Sequence, residues 1–298
     1  MISVVIPLYN KRSSILSTVQ SVMDQTYGDF ELIVVDDGST DGSAGELRDI
    51  EDHRLRIVTK PNGGVCSARN EGIRAARSEY VAFLDADDLY EPDFIKEIAD
   101  LIDSCPEASI WGTSYSFLKD GELIPALKPL PAGFKGIIDN SLWTLGHIYC
   151  SSAVCCRKSA LEEVGLFDER ITWGEDIDVW WRIMLAHPAA YSNRPLAVYR
   201  FDEDNRAMNA QIPLERLYIN YFEKYSAARA ACPAFRHFID RECMWWLFPY
   251  FSKDPRNPDV RRILSQIDLG EYKRSFAFRF RHPKMYSAYQ RLKKQIRK

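Results

Sequence analysis

Tyr80-Val81-Ala82-Phe83-Leu84-Asp85-Ala86-Asp87-Asp88 reads as a short buried strand that runs straight into three carboxylates within four positions. Carboxylates this close repel one another unless a cation lies between them. An all-oxygen, carboxylate-rich donor set suits a hard divalent ion, Mg²⁺ or Mn²⁺, rather than Zn²⁺. Such ions, when held by one or two carboxylates, complete their shell with substrate phosphates. The stretch therefore points to a phosphate-bearing, nucleotide-linked substrate. Its plainer reading is a solvated acidic turn with a helix cap, so the rest of the chain has to decide.

Upstream, the same pattern repeats. Ser3-Val4-Val5-Ile6 predicts a strand, followed by a helix over 13–24. Glu31-Leu32-Ile33-Val34-Val35 predicts a second strand, ending at Asp36-Asp37-Gly38-Ser39, and Leu55-Arg56-Ile57-Val58 a third. Asn62-Gly63-Gly64 opens a helix over 65–76, and Pro92 starts another that runs to Asp103. Short apolar strands alternating with helices predict an α/β fold, a mostly parallel sheet with helices on both faces. Ligands bind at the carboxyl ends of such strands. Pro7 to Asn10, Asp36-Asp37 and Asp85 to Asp88 all fall there.

Further along, short strands are expected at 108–111, 153–156 and 196–199, with a helix over 176–186. Leu214, Leu217, Tyr218, Tyr221, Phe222 and Tyr225 recur at helical spacing. The boundary is placed in 201–208, giving a domain over 1–205 and a helical C-terminal extension over 206–298.

Composition, 46% hydrophobic and 27% charged, is that of a globular protein. No apolar stretch approaches the roughly 18–20 residues of a membrane span, and the run 244–251 is broken by Pro249. The start at Ile2 lacks the basic region of a signal peptide. Seven cysteines without CxxC or metal spacing predict free thiols and a reduced, cytoplasmic location. The net charge of −3 is uneven: residues 271–298 carry ten Lys or Arg against one acid, which leaves −12 on 1–270. A basic tail predicts an anionic partner. Nucleic acid lacks supporting motifs. An anionic membrane fits better, because Met285, Tyr289, Leu292 and Ile296 form one apolar helical stripe among Lys and Arg.

Several constellations carry possible chemistry. Asp36 and Asp37 can accept from nucleobase or ribose donors, or can simply cap a turn. The loop at Asn62 allows close approach of backbone to a ligand. Arg69 can pair with the aspartates or with phosphate. No Walker loop and no dinucleotide fingerprint is present. Asp176, in Trp173-Gly174-Glu175-Asp176, sits in a first helical turn, where the dipole favours an ionised carboxylate fit for general-base work. A helix cap is its plainer role, and Asp178 with Arg182 reads as an i,i+4 ion pair. Of five scattered histidines, only His147 falls near the expected cleft.

Taken in order, five strings resemble glycosyltransferase family 2, the inverting GT-A enzymes: Val4-Val5-Ile6-Pro7-Leu8-Tyr9-Asn10; Val34-Val35-Asp36-Asp37-Gly38-Ser39-Thr40-Asp41; Asn62-Gly63-Gly64 through Ala68-Arg69-Asn70; Phe83-Leu84-Asp85-Ala86-Asp87-Asp88; and Gly165-Leu166-Phe167-Asp168-Glu169 through Gly174-Glu175-Asp176. The resemblance covers about residues 1–205 and implies a GT-A, Rossmann-like sheet. It implies that Pro7, Tyr9, Asp36 and Asp37 line the base and ribose site, with Asn62 and Arg69 also on the donor. Asp85 and Asp87 then lie near ribose and metal, and Asp87 and Asp88 hold Mn²⁺ or Mg²⁺. Asp176 is the implied general base. The expected partners are a nucleoside-diphosphate sugar and a saccharide or lipid-linked acceptor, as in bacterial surface-polysaccharide assembly, at the inner face of the cell membrane. The Gln-x-x-Arg-Trp string of the processive branch is absent, which argues against processive synthesis. Two other readings stand beside this one. A sugar-phosphate nucleotidyltransferase would need a Gly-rich basic loop after the first strand, and a non-catalytic binding module would not need the intact carboxylates.

Overall fold

The fold is taken from a computed structural model, and the residues described are 1–126, 130–138, 146–201, 212–272, 274–282 and 285, the side chains of 274–277 excepted. The chain forms two compact units, Met1–Gln211 and Ile212–Lys298. The boundary expected at 205 lies outside the described residues.

In chain order the first unit has β1 (Ile2–Leu8), α1 (Ile15–Met23), β2 (Phe30–Asp36), β3 (Leu55–Thr59), α2 (Val65–Ala75), β4 (Tyr80–Phe83), β5 (Leu89–Tyr90) and α3 (Phe94–Ser104). There follow β6 (Ile110–Lys119), β7 (Glu122–Pro125), β8 (Lys135–Ile138), β9 (Val154–Arg157), α4 (Lys158–Glu163), α5 (Glu175–Ala186) and β10 (Ala189–Arg200). The sheet order is β3-β2-β1-β4-β9-β6-β10-β5, with β7 on β6 and β8 on β10. The strands β3, β2, β1 and β4 run parallel, as do β6 and β10, and β9 lies antiparallel between the two groups.

The pleat explains why β1 and β2 are apolar at nearly every position. Successive side chains point to opposite faces, and both faces are covered. Val4, Ile6, Leu8, Leu32 and Val34 pack on one side with Ile15 and Val19 of α1 and Phe94 and Ile98 of α3. Val5, Ile33, Val35 and Phe83 pack on the other with Ile73 of α2 and Val179 and Trp180 of α5. Gly72 lets α2 lie against β1, because a Cβ there would stand 2.3 Å from Val5 Cγ1.

Three expectations are corrected. The strand expected at 196–199 is the end of a 12-residue strand. β10 runs through Ser192-Asn193-Arg194-Pro195, with register shifts on either side of Pro195. Pro92 precedes α3, which begins at Phe94. In the second unit, the helical stripe from Leu214 is wound as 3₁₀ turns (Leu214–Arg216 and Tyr218–Tyr225) with a non-helical residue at Tyr221.

The second unit continues with α6 (Ser226–Ala231), α7 (Pro233–Lys253), α8 (Pro258–Leu264) and α9 (Arg274–Arg281). Helix α7 passes through Pro249 rather than stopping there. Leu217, Tyr218, Phe222 and Tyr225 are buried with Phe235, Ile239, Met244, Val260 and Ile263. Asp240, buried in α7, accepts from Arg229 Nε at 2.9 Å and Tyr272 Oη at 2.8 Å, so its burial is compensated.

Candidate active site

Strand β4 stops at Phe83, and the turn that follows sets Asp85, Asp87 and Asp88 on the carboxyl edge of the sheet, where the Asp88 N–H closes the turn on Asp85 O at 3.0 Å. Each carboxylate has a protein partner. Asp85 takes Arg69 Nη2 at 2.7 Å, and Asp87 takes Lys11 Nζ at 2.5 Å. Asp88 is buried, with Oδ2 on the Ser152 hydroxyl and Oδ1 on the Arg200 N–H at 3.1 Å. Burial, then the Asp85 and Asp87 charges, push the Asp88 pKa well above the usual carboxylate range. Burial raises Asp85 likewise, with Arg69 opposing it.

Arg69, on α2, is almost fully buried and joins two elements. Its Nη1 donates to Glu175 Oε1 at 2.8 Å at the start of α5. Burial disfavours the guanidinium, but Asp85 and Glu175 more than offset this and raise its pKa. Burial and then the Asp176 charge raise Glu175, again against Arg69. The cation thus ties the strand-end cluster to the helix that carries Asp176. Asp176 itself is half-buried, with Oδ1 on the Ile177 N–H at 2.7 Å and Oδ2 on the Ser151 hydroxyl at 2.7 Å. Asp178 pairs with Arg182 at 2.9 Å, as the spacing suggested. The His147 ring stacks on Trp181, with centroids 5.7 Å apart.

The remaining expected donor residues surround the ends of β1 and β2. Tyr9 is 48% exposed and Pro7 half-buried. Asp36 is buried and caps its own turn through the Ser39 N–H at 3.0 Å. Asp37, also buried, accepts from Gly63 N–H at 2.9 Å, Gly64 N–H at 2.8 Å and Lys60 Nζ at 2.5 Å. Asn62 Nδ2 donates to the Asp37 carbonyl at 3.0 Å. Gly64 takes a φ of +89°, open to glycine alone at no steric cost, and this lets two consecutive N–H groups face one carboxylate. Asp37 thereby holds the Gly63-Gly64 loop beside the strand ends.

Sequence reading missed Lys11, Glu175, Ser151, Ser152 and Arg200. Lys11 follows the end of β1 and Arg200 is the last residue of β10, and that placement was the available signal. Ser151-Ser152 lies just before an apolar strand and shows no motif. At the far ends of β6 and β10, Tyr115, Phe117, Tyr199 and Phe201 form a half-buried aromatic row, with centroids 5.3 Å apart for Tyr115–Phe117 and 5.0 Å for Phe117–Phe201.

The donor set suits a hard divalent cation. Asp87 and Asp88 offer only oxygens, the donor atoms that Mg²⁺ and Mn²⁺ take. Among the described residues no three His, Cys, Asp or Glu side chains form a ready ligand group. Asp87 and Asp88 are the residues that could hold such an ion.

The fold is that of the GT-A glycosyltransferases. The family model for glycosyl transferase family 2 matches residues 3–165, and the chain belongs to that family. It is 31% identical over 212 residues to an uncharacterized glycosyltransferase of Rickettsia conorii, covering 68% of this chain and 34% of that protein. The chain thus spans about a third of the length of that relative. It is 42% identical over 100 residues to the putative teichuronic acid biosynthesis glycosyltransferase TuaG of Bacillus subtilis, covering 33% of this chain and 40% of TuaG. Among solved structures, S. aureus TarS 1–349 in complex with UDP-GlcNAc superposes with a TM-score of 0.70 at 20% identity, covering 89% of this chain and 80% of that one. At that identity the likeness is one of fold.

Proposed function

We propose that the chain moves one sugar, with inversion, from a nucleoside-diphosphate sugar to a hydroxyl acceptor. The observation that carries this is the Arg69 bridge, which brings the Asp85–Asp88 edge and Asp176 to one site. Asp176 takes the proton from the acceptor hydroxyl. The oxygen attacks the anomeric carbon as the bond to the diphosphate oxygen breaks, and the electron pair leaves with the diphosphate. A single displacement inverts the centre. Asp87 and Asp88 would hold Mn²⁺ or Mg²⁺, which supplies charge neutralisation to the leaving diphosphate. Pro7, Tyr9, Asp36 and the loop pinned by Asp37 surround the nucleoside. The UDP-GlcNAc in the TarS structure favours a uridine diphosphate donor. The flat apolar faces of Phe117 and its aromatic neighbours suit the C–H face of an acceptor sugar. The name of TuaG favours a cell-surface polysaccharide as product.

Thermal melts with UDP-, GDP- and dTDP-sugars and Mn²⁺ test the donor. A ligand at 100 times its Kd stabilises by about 2.7 kcal/mol. One nucleotide class should raise Tm, and no response from any of them counts against the reading. Asp88→Ala should remove the Mn²⁺-dependent part of that response and leave the chain folded, with a lower Tm because the Ser152 hydroxyl and the Arg200 N–H lose an acceptor. Unchanged Mn²⁺-dependent UDP or GDP affinity contradicts the assignment of Asp88.

The same reading places the enzyme at an anionic membrane, where a lipid-linked acceptor resides. The basic stripe from Tyr289 onward lies outside the described residues. Before it, Phe278 and Met285 are 38% and 61% exposed. Among the described residues no helix is long and apolar enough to cross a membrane. Each basic residue near an anionic surface contributes about 1 kcal/mol. Changing Lys293, Lys294, Arg297 and Lys298 to Glu should therefore abolish co-sedimentation with phosphatidylserine vesicles. Equal sedimentation of the variant and the native chain contradicts membrane attachment through the tail.

A further inference from the structure

Two adjacent hydroxyls stand where the site's two halves meet. Ser151 and Ser152 lie on a 3₁₀ turn (Ser151–Ala153) that leads into β9, and 5% and 1% of their surface is exposed. Because β9 pairs antiparallel with β4, with Val154 opposite Phe83, the turn lies alongside the residues where β4 gives way to the aspartates. Ser151 Oγ donates to Asp176 Oδ2 at 2.7 Å. Ser152 Oγ donates to Asp88 Oδ2 and accepts the Asp85 N–H at 3.2 Å. A buried hydroxyl needs only one acceptor, and a backbone carbonyl serves, as Ala86 O does for Ser14 and Thr18. Here both consecutive hydroxyls go instead to carboxylates, one on α5 and one on the strand-end turn.

We propose that Ser151 and Ser152 are positioning residues that set the candidate base and the strand-end cluster in one frame, Ser151 by orienting Asp176 and Ser152 by orienting Asp88. This rests on the reading of Asp176 as base and of Asp88 as a donor-side residue. A carboxylate has about four acceptor sites. Ile177 N–H and Ser151 take one on each oxygen of Asp176 and fix its plane, leaving the others for the acceptor hydroxyl. Proton removal depends on that geometry, and a misplacement of about 1 Å far from the chemistry can cost 10²-fold. Because the two hydroxyls share one turn, the base cannot shift relative to the cluster without breaking one of the two hydrogen bonds.

The two serines predict separable defects. Ser151→Ala should lower kcat about tenfold or more, in line with the loss of a hydrogen bond to a charged group, with the Kd for UDP or GDP unchanged. Ser151→Thr, which keeps the hydroxyl, should restore most of kcat. Ser151→Cys, close in size but a weak donor, should fall with the alanine variant, and it serves if that variant does not fold. Ser152→Ala should raise the Mn²⁺-dependent Kd for the same nucleotide about tenfold in calorimetry. In the Asp176→Asn background, Ser151→Ala should have little further effect. The proposal is overturned if Ser151→Ala turns over donor like the native chain while Asp176→Asn is slow, or if both serine variants change the same parameter. Native turnover by Asp176→Asn would instead remove the reading on which the proposal rests.

Discussion

Replacing Asp176 with Asn should slow sugar transfer about 10²- to 10⁴-fold, the usual contribution of a general base, while nucleotide affinity stays within about twofold. Asn keeps the shape of the side chain, and its Oδ1 can still accept from Ile177 N–H or from Ser151. Its amide cannot take the acceptor proton. The change therefore separates chemistry from folding and from donor binding. Steady-state rates with saturating donor and acceptor, set beside nucleotide binding by calorimetry, read both quantities. Transfer at the native rate would make Asp176 a helix-start residue held by Ser151 and nothing more.

Arg69→Met should be the most destabilising single change at the site. Met retains much of the length of the side chain but leaves Asp85 and Glu175 facing each other without their shared cation. Removing one partner of a buried ion pair costs about 3–5 kcal/mol. The lower end applies because Asp85 keeps 29% of its side-chain surface exposed. For a domain of this size, a loss of about 3 kcal/mol lowers Tm by roughly 6–12 °C. Both carboxylates already have raised pKa values, so without Arg69 they take up protons more readily. A group whose folded pKa lies above its unfolded one binds more protons when folded, so stability falls as pH rises through the folded value. The deficit of Arg69→Met should thus be larger at pH 8 than at pH 5. A melt indistinguishable from the native one at pH 8 would contradict the bridging role.

Much of the frame was legible because local patterns and tertiary demands agree. Strands β1, β2 and β4 are continuous apolar runs closed by polar residues, and a sheet covered on both faces requires that pattern. Where the two part, the reading failed. β5, β7 and β8 have two to four residues, too few for periodicity to register. β10 crosses Pro195 because its register shifts there, which composition cannot reveal. At 218–225 the spacing identified the buried side chains but not the backbone, since burial on one side is compatible with a 3₁₀ turn as well as an α-helix. At the site, the carboxylates were visible as clusters, but their partners were not. Lys11 is 76 residues from Asp87, Ser152 is 64 from Asp88 and Glu175 is 106 from Arg69. Those pairings follow from strand order, and strand order is not a local property of sequence.

The central claim is a single displacement at the anomeric carbon of a nucleotide sugar. It is tested most directly by proton NMR of the reaction of the native chain with the α-linked donor identified in the melts, Mn²⁺ and a lipid-linked or free saccharide acceptor. Release of the nucleoside diphosphate is expected, together with a product whose new linkage is β. An α-linked product, or formation of pyrophosphate in place of the nucleoside diphosphate, would contradict it.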